Sequence, residues 1–211
     1  MRQRYDDFAD WYDAYATRGV GLPFARAADR LLARLLGPGH GRLCLDLGCG
    51  GGAHAPALTG LDWQPIGVDI SAPQIDLARR KGLTAVVASA ERLPLRDRSV
   101  DAATMIMTST DFDDLPPVFA EAHRVLRPGG HLVVVGAHPC FGGVFVNHCN
   151  VDRIWESWLT SHGRIYEPGN DEPAAPAGHR IDDAMIALLD ASLTPRQVLD
   201  PGTWYSYDVL P

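Results

Sequence analysis

The sequence predicts an α/β fold, a mostly parallel sheet with helices on both faces, from three observations. Helical and strand patterns alternate from residue 24 onward, the mark of such a sheet. An apolar run ends in an acid and a glycine cluster at Leu45-Asp46-Leu47-Gly48-Cys49-Gly50-Gly51-Gly52, which describes a strand turning sharply over a ligand. The chain has 211 residues, 46% apolar and 21% charged, enough for one globular domain with a full core.

Each element has its own signal. Phe24, Ala27, Ala28, Leu31, Leu32, Leu35 and Leu36 form a helical stripe that stops at Gly37-Pro38-Gly39. Arg42 to Leu47 is the first strand, followed by a short helix from near Ala53 and a second strand at Ile66-Gly67-Val68-Asp69-Ile70. Ser71 is placed as the N-cap of a helix through Lys81, with Pro73 in its first turn and Gly82 just past its end. Leu83 to Ala88 and Val100 to Met107 read as the third and fourth strands. Asp111, Asp113 and Asp114 precede a helix from Pro116 to Leu126, which Arg127-Pro128-Gly129-Gly130 ends before a fifth strand at His131 to Ala137. The rhythm then breaks: 138–180 is too long for a plain connection, and such segments carry function or disorder. A helix at Ile181 to Ala191 and closing strands at Arg196 to Leu199 and Trp204 to Val209 complete the chain, without internal repeats.

The glycine loop admits two ligand classes. Gly48, Gly50 and Ala53 satisfy the G-x-G-x-x-G/A dinucleotide fingerprint, and Asp69 follows about 20 residues on, where such a fold grips a ribose. Yet Asp46, two residues before the first glycine, would set a negative charge beside a pyrophosphate. A ligand bearing an ammonium and a sulfonium group is favoured there instead.

The net charge of -7 and the lack of a Lys/Arg-rich run argue against a nucleic-acid partner. Acids and aromatics follow the N-terminal basic residues in place of a signal-peptide core, and no apolar run reaches membrane-spanning length. The expectation is a soluble cytoplasmic protein without a membrane partner, monomeric or homodimeric. Cys44, Cys49, Cys140 and Cys149 are few for this length and read as reduced thiols. His138, Cys140, His148 and Cys149 lack the paired spacing of a zinc site, so no metal is expected.

In order, these pieces resemble the class I S-adenosylmethionine-dependent methyltransferases, in particular the type 11-like group acting on small molecules. The resemblance rests on the glycine loop, Gly67-Val68-Asp69-Ile70-Ser71, Ala88-Ser89-Ala90-Glu91-Arg92-Leu93-Pro94 and Leu126-Arg127-Pro128-Gly129-Gly130, and covers residues 5–137 best. It implies a Rossmann-like class I methyltransferase fold: a seven-stranded, mostly parallel sheet with its last strand antiparallel, plus an irregular cap. It implies a single domain over 1–211, with 1–23 as an N-terminal lid helix and 138–180 as a substrate-wall insertion. It further implies S-adenosylmethionine as cofactor. The backbone at Gly48, Cys49 and Gly50 would line its methionine end, Asp46 would hold the ammonium directly or through water, and Asp69 the ribose hydroxyls. Ile70 would pack on the adenine, and Ser89, Ala90 and Glu91 would meet its edge. Relatives often carry Asp where this chain has Ser89. Tyr12, in a segment resembling the family's mobile lid, would set its ring beside the sulfonium, although an amphipathic helix packing its aromatics into the core is an equal reading.

The implied reaction is in-line methyl transfer to a small, apolar or aromatic acceptor, driven mainly by alignment and exclusion of water, so a dedicated base is optional. His138, directly after the fifth strand, is the first catalytic candidate, with Asp111 after the fourth strand and His179 before the late helix as the others. His123 and His131 fall within regular structure and read as surface or packing residues. Phe141, Phe145, Trp155, Trp158 and Tyr166 suggest an acceptor wall or the small core of a cap. Three rivals stand beside this reading: an NAD-dependent oxidoreductase, an enzyme of natural-product assembly using the same cofactor for a non-methylating reaction, and a non-catalytic binding subunit.

Overall fold

The computed structural model describes residues 3, 5–19, 21–109, 111, 112 and 114–136, together with the backbone of 193–199 and 204–209. In chain order its elements are α1 (Ala9–Arg18), α2 (Leu22–Leu36), β1 (Leu43–Leu47), α3 (Ala55–Gly60), β2 (Gln64–Asp69), α4 (Ala72–Arg80), β3 (Thr84–Val87), β4 (Val100–Ile106), α5 (Leu115–Val125), β5 (Leu126–Val135), β6 (Leu193–Leu199) and β7 (Trp204–Val209).

Strands β1 to β5 form a parallel sheet in the order β3-β2-β1-β4-β5. Beyond β5 the backbone of β7 pairs antiparallel with it, and β6 pairs antiparallel with β7. The winding reverses between β1 and β4, and in open α/β sheets this switch point opens a crevice at the carboxyl ends of the strands.

Strand alternation assigns the two faces of the core. Leu45, Leu47, Ala103, Met105, Leu132 and Val134 join Val118, Phe119 and Ala122 of α5 on one side. Cys44, Ala102, Ile106, Val133 and Val135 join Ala28, Leu32 and Leu36 of α2 on the other, with Leu58 and Trp63. Burial on both faces explains why these strands read as continuous apolar runs rather than alternating ones. Trp63 also donates its indole N–H to the Gly37 carbonyl, 2.9 Å, and meets the His131 ring edge-on, which makes His131 a packing residue.

The structure corrects several boundaries. Helix α2 begins at Leu22 instead of Phe24, because Pro23 suits the first turn of a helix. Ser71 sits at the N-cap position of α4 but makes no side-chain cap; its hydroxyl donates instead to Asp6, 2.8 Å away. β5 begins at Leu126, not His131. Leu126 is buried and already extended at the end of α5, and the irregular Arg127 to Gly130 stretch is absorbed by a register shift, with Gly129 at φ +78°. The expected helix at 181–191 and insertion at 138–180 lie outside the described residues. Among the described residues no helix is long and apolar enough to cross a membrane.

Candidate active site

The carboxyl ends of β1, β2 and β4 meet in a cavity of about 350 Å³. Its floor is set by strand geometry. Because Leu45 and Leu47 face α5, Asp46 must face the α2 side, where its register partner on β4 is Thr104. The Thr104 hydroxyl donates to Asp46 Oδ1 at 2.9 Å, and Asp46 is only 2% exposed. Burial pushes its carboxyl up to about 6, while the charge of His54 and the Thr104 hydrogen bond draw it down. An acid so placed, lining a cavity, is a candidate functional group.

The glycine loop follows directly. Gly48 and Cys49 both donate to the Val68 carbonyl of β2, at 2.8 and 3.0 Å, which folds the loop over the strand ends. Gly48 has φ +68°, and a Cβ there would lie 2.2 Å from the Thr108 hydroxyl, so only glycine fits. Gly50, at φ +49°, donates to Asp69 Oδ2 at 2.9 Å. The other oxygen of Asp69 accepts the Ser71 N–H at 2.9 Å. Burial pushes the Asp69 carboxyl up, and these backbone donors hold it back. Each oxygen keeps a second lone pair for a ligand hydroxyl. Cys49 and Cys44 are free thiols, both pushed up mainly by burial, which suits packing rather than nucleophilic chemistry.

Ile70 lines the cavity with its side chain 48% exposed, and Ser89, Ala90 and Glu91 form the adjoining wall. Ser89 Oγ accepts the Glu91 N–H at 3.2 Å, closing a short turn. The segment behind it is pinned from α5: Glu121 accepts the Leu93 N–H, and Arg124 reaches the carbonyls of Leu93 and Leu95 as well as Asp97.

Helix α1 covers the opening. Tyr12 lines the cavity with its ring edge-on to Tyr5 at 5.3 Å, and Ala9 is the buried residue of this helix. Burial, then the charge of Asp111, push the Tyr12 hydroxyl up. Three polar contacts hold the segment: Asp6 with Ser71, Asp13 with Lys81, whose ammonium also donates to the Gly51 carbonyl, and the Tyr5 hydroxyl with Asp111 at 3.0 Å. Asp111 therefore stands at the cavity, while His138 and His179 lie outside the described residues.

Among the cavity residues that the sequence reading did not single out are His54, Gln74, Met107 and Thr108. Met107 closes β4 in the left-handed region, φ +56°, which no local pattern announces. Gln74 is 2% exposed and its Oε1 has no hydrogen-bond partner. The Nδ1 of His54 is 2.7 Å from Asp29 of α2, a pairing across 25 residues.

Residues 45–134 match the model of a methyltransferase domain family. The chain is 38% identical over 117 residues to an O-methyltransferase, cnsE, of Penicillium expansum, spanning 50% of this chain and 42% of that protein. It is 30% identical over 145 residues to a 2-phytyl-1,4-naphtoquinone methyltransferase of Nostoc, spanning 64% and 60%. The chain thus spans about half the length of the curated relatives it matches. In fold it is similar to geranyl diphosphate C-methyltransferase of Streptomyces coelicolor, solved with Mg2+, geranyl diphosphate and S-adenosyl-L-homocysteine: TM-score 0.65, 18% identity, covering 94% of this chain and 85% of that one. In its motif order, its parallel sheet and its matched segment, the chain is similar to the class I S-adenosylmethionine-dependent methyltransferases.

Proposed function

We propose that this protein binds S-adenosylmethionine in the cavity over β1, β2 and β4 and catalyses methyl transfer to a small-molecule acceptor. The observation that carries this reading is the buried Asp46 under a glycine loop tied to Asp69: a carboxylate where a cation must dock, beside a second one with lone pairs to spare. The residues fit the cofactor. The Gly48 turn is a cradle that a Cβ would fill, and the unpartnered Oε1 of Gln74 awaits a donor. Asp46 would hold the ammonium, Asp69 the ribose hydroxyls, Ile70 the adenine face, and the 89–91 turn the adenine edge.

When bound, the cofactor supplies an electrophilic methyl group on a cationic sulfur. The chain's own work is then placement. Tyr12 offers a ring face to positive charge, a cation–π contact of about 0.5 to 2 kcal/mol once desolvated, and α1 shuts out water. Holding donor and acceptor in line can supply on the order of 7 to 11 kcal/mol, so no proton-transfer group is required. Asp111, which accepts the Tyr5 hydroxyl at the cavity, would touch the acceptor. His138 and His179, together with the 138–180 segment, would supply the rest of an apolar or aromatic acceptor wall, with residues 1–23 as the lid of a single domain.

The relatives' names support a small-molecule acceptor, since one is a 2-phytyl-1,4-naphtoquinone methyltransferase and another a nocamycin O-methyltransferase. They do not favour the oxidoreductase or the non-methylating reading. Incubation with methyl-labelled S-adenosylmethionine and a metabolite extract tests the proposal: label in a small molecule supports it, whereas calorimetric binding of NAD without binding of S-adenosylmethionine overturns it.

A further inference from the structure

We infer that His54, held by Asp29, is the carboxylate-reading residue of the cavity, so that the amino-acid end of the ligand is read by an opposed pair: Asp46 for its ammonium and His54 for its carboxylate. The inference rests on the cofactor reading above and deepens it.

The charge inventory of the cavity leads to this assignment. Its lining contains five acids, Asp13, Asp46, Asp69, Glu91 and Asp111, and among the described residues a single side chain able to carry positive charge, His54. A ligand with an α-ammonium and an α-carboxylate finds many partners for the first group and would meet repulsion at the second almost everywhere. His54 relieves it. The residue directly precedes α3, and α2 passes beside it, which brings Asp29 to the ring: Nδ1 lies 2.7 Å from Asp29 Oδ1 in a pair only 12% and 33% exposed. A carboxylate there accepts the Nδ1 proton, fixes the ring plane and leaves Nε2 to meet a ligand. An imidazole that gives one proton to Asp29 can donate a second, from Nε2, to a ligand carboxylate. Both residues line the cavity, His54 standing just after the glycine loop that leaves the strand of Asp46. Asp29 acts only through the imidazole and is a positioning residue.

Decarboxylated S-adenosylmethionine keeps the ammonium and sulfonium but lacks the carboxylate, which makes it the discriminating probe. Calorimetry on the full chain should show that the natural cofactor binds about 10- to 100-fold tighter than the decarboxylated compound, as a charge-assisted hydrogen bond predicts. His54→Ala should erase that ratio by weakening the natural cofactor far more than the decarboxylated compound, and Asp29→Asn, which keeps the shape, should reduce it part of the way. Asp46→Asn, in contrast, should weaken both compounds together. If His54→Ala and Asp29→Asn weaken both compounds equally, or neither, the assignment is overturned while the cofactor reading stands. If the unaltered protein binds neither compound, the cofactor reading itself falls and this inference with it.

Discussion

Asp46 links binding to pH. Its carboxyl is pushed up to about 6, above the value of an unfolded aspartate, so the fold favours the protonated form. Stability from this residue is therefore full below about pH 4 and declines as pH rises through about 6. An ammonium ligand prefers the ionised form, so its affinity should climb between about pH 5 and pH 7, a slope absent in Asp46→Asn when dissociation constants are measured across that range. Asp69 has a different weight, because it serves the loop and the ligand at once. Asp69→Ala should weaken the cofactor about 10- to 100-fold by calorimetry and leave the Gly50 and Ser71 N–H groups without their acceptor. Unchanged affinity would contradict the ribose contact.

Helix α1 is attached by polar contacts rather than by a buried stripe, which suits the lid proposed above. The Asp13–Lys81 pair is partly exposed, so its worth is at most about 1 kcal/mol. Lys81→Met should accordingly speed cofactor release only about two- to fivefold and raise hydrogen exchange over 9–18, with the melting temperature nearly unmoved. At α5 the balance differs. Arg124 ties three groups of the 93–97 segment and Glu121 into one network, so Arg124→Ala should lower stability by about 1 to 2 kcal/mol in chemical denaturation and loosen the wall at 89–91.

For the whole molecule, the switch between β1 and β4 is what creates the cavity, and Gly48 and Thr108 touch across it. Gly48→Ala would press a Cβ into the Thr108 hydroxyl in a left-handed backbone, costing about 2 kcal/mol or more and abolishing cofactor binding. Adding Thr108→Ala should restore stability in part, because it removes the contact but not the backbone strain; a full rescue would show that the φ angle is not limiting.

The strands, their order of appearance, the glycine turn and the acids at 46 and 69 were legible because each follows from local pattern: continuous apolar runs, an abrupt glycine cluster and a strand-end carboxylate. Strand limits slipped by one to three residues, and at Leu126 the chain passes from helix to strand without the break that Arg127-Pro128-Gly129-Gly130 announces. What the tertiary structure alone decided are the pairings between elements far apart in the chain. Asp29 with His54, Ser71 with Asp6 and the orphaned Oε1 of Gln74 depend on how helices settle against the sheet. Local periodicity sets which face a residue takes. Only packing sets which distant residue it meets there, and the burial that lifts the Asp46 carboxyl is a property of that packing.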